Sequence, residues 1–101
     1  MGWTVRLVSE NGATLAETAS TDDGALARAQ EFADTYPRLA EVDPYGDTTF
    51  NGLQIPALLE ELTRLMEETD TPSQLQWLFD LRDVAERCRA TPHAYLKLLG
   101  D

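Results

Sequence analysis

The chain has 101 residues, 43% of them hydrophobic and 26% charged. That composition suits a single globular domain over residues 1–101 and excludes a disordered chain or a second independent core. A net charge of −10 repels phosphate backbones and anionic lipid, so neither nucleic acid nor a membrane surface is an expected partner.

The charge is unevenly placed: residues 1–70 hold 14 acidic and 4 basic side chains, whereas residues 71–101 hold 4 of each. Such a field keeps a protein soluble, and it also speeds encounter with a basic protein surface. Cys88 is the one cysteine, which leaves no intramolecular disulfide and no cysteine-rich metal site. Its helical context reads as a small buried hydrophobe. No apolar run approaches the roughly 18 residues of a membrane span. The N-terminus lacks the basic-then-apolar order of a secretory signal, and Arg6 stands where myristoylation wants Ser or Thr. Cytoplasmic residence is the expectation.

In chain order, Trp3, Val5 and Leu7 alternate with Thr4, Arg6 and Val8, the period-two pattern of a half-buried strand. Asn11-Gly12 supplies a hairpin turn, and Ala13 to Ala19 a partner strand. Ser20 to Asp23 is rich in capping side chains. Ala25, Leu26, Ala29, Phe32, Ala33 and Tyr36 then form one apolar stripe of a helix that Pro37 ends.

Residues 37–52 are an irregular connection, long for so small a domain, within which Thr48-Thr49-Phe50 could add a short strand. Asn51 and Gln54 read as the cap opening a second helix. Ile55, Leu58, Leu59, Leu62, Leu65 and Met66 make its buried stripe, while Glu60, Glu61, Glu67 and Glu68 are read on the opposite face.

Thr71-Pro72 restarts the chain as a third helix to about residue 90. Its face of Trp77, Leu78, Leu81, Val84, Ala85 and Cys88 leaves Leu75 and Phe79 nearly opposite, stacked one turn apart. Thr91-Pro92 stops it, and Ala94 to Leu99 reads as a closing strand. The expected fold is α+β: a small antiparallel sheet, built from the N-terminal hairpin and the C-terminal strand, packed with three helices.

Asp43-Pro44-Tyr45-Gly46-Asp47-Thr48-Thr49-Phe50-Asn51 and Pro92 to Asp101, with the length and the helical middle, resemble small uncharacterised acidic proteins of actinobacterial type. The resemblance runs from Tyr36 onward, implies no activity and carries over no site residue. In size and charge the chain is also similar to immunity proteins that neutralise toxins.

The oxygens of Asp43, Asp47, Thr49 and Asn51 invite comparison with a calcium loop, but Pro44 and Tyr45 break the alternation and no Glu closes it. No metal or cofactor is expected, and turn and capping duty fits these residues better. Asp43 and Asp47 could serve as an acid–base pair only if His93 joined them in a pocket. Cys88 and His93 are separated by a helix end, which disfavours a nucleophile–base pair. No phosphate loop, HExxH, GxSxG or CxxC spacing occurs. Arg82, Arg87, Arg89 and Lys97 are interleaved with Asp80, Asp83 and Glu86, a salt-bridged helix face rather than a nucleic-acid stripe.

Protein binding is therefore the leading expectation. The contacts would come from Asp43, Tyr45, Asp47 and Phe50 in the loop and from Glu60, Glu61, Glu67 and Glu68 on the second helix, offered to a basic partner. Self-association through Leu75 and Phe79 is an alternative. A small enzyme or ligand-binding domain with the 37–52 loop as lid is another.

Overall fold

The computed structural model describes residues 3–20, 26–43 and 46–100. Four strands, β1 (Trp3–Val8), β2 (Thr14–Ser20), β3 (Asp47–Phe50) and β4 (Tyr95–Gly100), form one antiparallel sheet in the order β2-β1-β4-β3. Three helices accompany it: α1 (Ala27–Glu31), α2 (Ile55–Glu67) and α3 (Pro72–Ala90). The α+β expectation holds, with a fourth strand drawn from the 37–52 connection.

Strand alternation decides what the sheet buries. Trp3, Val5 and Leu7 stand opposite Gly100, Leu98 and Leu96 in the β1–β4 register, and Phe50 stands opposite Leu96. These side chains join the core with the buried residues of α2 and α3. Residues on the same face of paired strands share one environment, so Thr4, Arg6, Lys97, Leu99, Asp47 and Thr49 share the other face. None of that second set belongs to the core. Among the described residues, the helices pack on one face and contribute no core contact to the other.

The hairpin turns over Ser9 to Ala13, closed by Ser9 N–H to the Ala13 carbonyl at 2.8 Å. Gly12 supplies the required left-handed backbone, φ 91°. Opposite Val8 the register slips: Ala16 pairs with Leu7 but Thr14 pairs with Val8, which leaves Leu15 as an extra, bulged residue on an edge strand.

The first helix is shorter than the stripe predicts. It ends at Glu31, and Phe32 departs from helical geometry with ψ 59°. A continuous helix would put Ala29, Phe32 and Tyr36 on one face. The break rephases the chain, so that Ala29 and Tyr36 are buried while Phe32 is exposed under the Arg28 guanidinium, 5.0 Å from its ring. Asp34-Thr35 before Pro37 is a weak helix former. Of the capping run Ser20 to Asp23, Ser20 closes β2 and the other three residues lie outside the described residues.

The Asn51–Gln54 box forms, but on the turn before α2, whose own N-cap position is Gln54 with no side-chain cap bond. Asn51 Oδ1 accepts from the N–H groups of Leu53 and Gln54 at 3.0 and 3.2 Å, and Gln54 Oε1 accepts from Asn51 N–H at 2.9 Å. This reciprocal box sits on the turn leading into α2. The third helix packs Trp77 against Trp3, ring centroids 6.4 Å apart, an offset aromatic pair at the heart of the core.

Candidate functional site

The predicted site residues fall into four places. Phe50 is 1% exposed and lies in the core. It is therefore not a surface anchor, because the period-two alternation Asp47-Thr48-Thr49-Phe50 points it inward beside Leu96. Asp47 is exposed at the start of the edge strand β3. Tyr45 lies outside the described residues.

Asp43 is exposed but structural in part. Its N–H donates to Thr48 Oγ1 at 2.9 Å, and its carbonyl accepts from Gly46 N–H at 3.4 Å. The carboxylate lies so close to Gly46 that a Cβ there would stand 2.7 Å from Asp43 Oδ2. A larger residue at 46 would require the Asp43 side chain to turn away, and the Gly46 carbonyl accepts from Gly100 N–H at 2.9 Å beyond the end of the β3–β4 ladder. Much of the described part of the 37–52 connection is thus a 3-10 turn (Leu39–Glu41) and a paired edge strand (Asp47–Phe50).

Glu61 is expected among the outward glutamates of α2, yet it is 8% exposed. Its Oε1 accepts from Arg38 N–H at 2.9 Å and Leu39 N–H at 3.0 Å, and its Oε2 from Arg38 N–H at 3.1 Å. The carboxylate caps the 3-10 turn, satisfying N–H groups that a helix start leaves unpaired. Glu60 and Glu67 do face solvent. Glu68 is exposed and ion-paired with Arg28 of α1, so its charge is largely balanced.

Asp43, Asp47 and His93 do not converge. Asp47 stands opposite Leu99, while His93 precedes the other end of β4. At about 3.3 Å per strand residue the separation is of the order of 15–20 Å. His93 instead holds a left-handed backbone, φ 59°, in the turn after α3, beside a cleft of about 390 Å³ formed with Leu53, Arg89, Pro92 and Tyr95. Among the described residues no group of three or more His, Cys, Asp or Glu could hold a metal ion. Burial pushes the Cys88 thiol above its ordinary value by desolvation, so it stays protonated and poorly nucleophilic.

Leu75 and Phe79 are 37% and 50% exposed. Both face away from the buried side of α3, and the Arg82 guanidinium lies 5.4 Å over the Phe79 ring. Glu86 continues this stripe to a groove of about 700 Å³ between α2 and α3, which Glu60, Arg64, Glu67 and Arg89 also line. Carboxylates and arginines alternate there, so the groove is near neutral.

The acidic surface lies elsewhere. Glu31, Asp34, Glu41, Asp43 and Asp47 are all exposed within residues 31–47, against Arg38 as the one basic residue of that stretch. Arg38 is itself paired with Glu41 at 3.7 Å. Glu60 extends this surface, because a smaller cleft of about 310 Å³ joins it and Arg64 to Asp34, Thr35 and Pro37.

No family model, curated protein or solved structure matches the chain. The surface itself must supply the functional reading. No helix among the described residues is long and apolar enough to cross a membrane.

Proposed function

We propose that the chain is a non-catalytic protein-binding domain, an acidic inhibitor, immunity-type or escort protein for a more basic protein of the cytoplasm. The observation that supports it is the stretch of residues 31–47, in which five carboxylates are exposed and the one arginine, Arg38, is paired with Glu41. A concentrated field of one sign steers a basic partner into register and accelerates encounter. Asp34, Asp47 and Glu60 make the steering contacts. Glu61 and Phe50 act only indirectly, by holding the segment in shape.

Capture of cytoplasmic proteins on the full chain at low salt should retain a basic partner at near-equal stoichiometry and release it as salt rises. The Asp34→Lys, Asp47→Lys double variant should slow association with that partner at least about tenfold at low ionic strength and little at high salt. On-rates equal to the parent's would remove the steering argument.

A second reading, a homodimer or structural subunit, has its own support in the exposed Leu75–Phe79 pair. A dimer built on it should dissociate in Phe79→Asp by sedimentation. Monomer for both proteins at high concentration would end that reading.

A further inference from the structure

Three of the six large apolar side chains exposed among the described residues, Leu15, Leu53 and Tyr95, fall at one end of the molecule. The register explains the grouping. Tyr95 stands opposite Val8, and the bulged Leu15 lies beside Val8 on β2. Leu53 follows β3 and lines the His93 cleft with Tyr95. Val8 is buried without belonging to the helix-covered core, as expected for the floor of an apolar row on the other sheet face. Leu53 is 93% exposed, an arrangement with no internal packing to explain it.

The charges lining the cleft at one end of this row differ from the acidic balance of the chain. Among the described residues the His93 cleft is lined by Arg89 and His93 and by no carboxylate. The next row of the sheet places Arg6 directly opposite Lys97. Carboxylates enter towards β2, where Glu17 pairs with Arg6 and Glu10 lines the neighbouring cleft beside Leu15 and Pro92, and on the far side of Arg89, which also lines the groove of Glu60, Glu67 and Glu86. The β4 and Leu53 side of the row is thus apolar and bordered by cations, in a chain of net charge −10.

We propose that this row is a second docking site, which takes an extended acidic–apolar segment of a partner protein. The apolar side chains of the segment would rest on Leu15, Tyr95 and Leu53, and its carboxylates would meet Arg89, His93 and Lys97. From β2 to β3 the row crosses three strand spacings, roughly 14 Å, which an extended chain of about four or five residues spans. That length exceeds the cleft, and so favours a peptide over a small carboxylate. The site is independent of the acidic surface around Asp47, which lies at the other end of β3.

Selection of displayed random pentapeptides on the full chain should enrich sequences that combine Asp or Glu with Leu, Phe or Tyr. A synthetic peptide of that type should shift the amide resonances of Leu15, Leu53 and Tyr95. Leu53→Asp and Arg89→Glu, both at exposed positions, should each weaken it at least about tenfold. The Asp34→Lys, Asp47→Lys protein should bind it as well as the parent or better. Enrichment of basic peptides, no enrichment, or equal binding by the Leu53 and Arg89 variants would overturn the proposal. So would a dimer that Leu53→Asp dissolves, since the row would then belong to a second copy of this chain.

Discussion

Replacing Phe50 by alanine should cost about 3–5 kcal/mol, the range for removing a buried aromatic side chain, and lower the melting temperature by more than about 12 °C. Domains of this size are held by only about 5–15 kcal/mol, so the variant sits near the edge of folding. The ring is enclosed by the core and stands opposite Leu96 on the strand that anchors β3. Truncation opens a cavity where β3 joins the sheet, and β3 has one neighbour in place of two. The acidic segment 31–47 runs directly into this strand. Loss of partner binding in Phe50→Ala would therefore report a loosened segment, and binding per folded molecule should fall less than stability does. Phe32→Ala is the control, because Phe32 is exposed beneath Arg28 and should cost less than about 1 kcal/mol. Denaturant titration of both variants decides the matter: equal, small losses would mean that Phe50 is not core.

What the sequence disclosed follows the range over which each signal acts. Strand alternation at Trp3–Val8, the Asn51–Gln54 box and the stripe of α2 are local, and each is legible from a few neighbouring residues. The exposure of Leu75 and Phe79 was also visible, because helical spacing alone sets them apart from Trp77 and Leu81. Phe50 carried a signal that two-residue periodicity could resolve once Asp47 and Thr49 were placed outward. Glu61 carried a fainter one. At about 100° per residue it lies only some 40° from Leu65 around α2, whereas Glu60 and Glu67 lie far from the stripe. Its backbone partners at Arg38 and Leu39 are over twenty residues away, and no local pattern names them. The Leu15–Val8–Tyr95–Leu53 row was illegible for a stronger reason. It exists only because the strand order is β2-β1-β4-β3, which brings three distant segments to one end of the sheet.

Glu61→Ala should be the more telling change at the acidic surface, because it removes one negative charge and also two structural acceptors. Its carboxylate satisfies the Arg38 and Leu39 N–H groups, and each buried donor left without a partner costs about 1–3 kcal/mol. Arg38 is half-buried and Leu39 fully buried, so water can rescue the first N–H and not the second. A loss of about 2–4 kcal/mol follows, concentrated in the 3-10 turn that leads into the acidic segment. Glu61→Gln keeps one acceptor oxygen and should recover roughly half of that loss. Glu61→Leu supplies apolar volume and no acceptor, and should not recover it. Hydrogen exchange localises the effect: the Leu39 amide should lose protection in the alanine and leucine variants and keep much of it in glutamine. Were Glu61 a steering charge, glutamine and alanine would instead behave alike, slowing association and leaving stability and Leu39 protection unchanged. The two roles separate cleanly, and charge variants meant to probe the acidic surface should leave Glu61 in place.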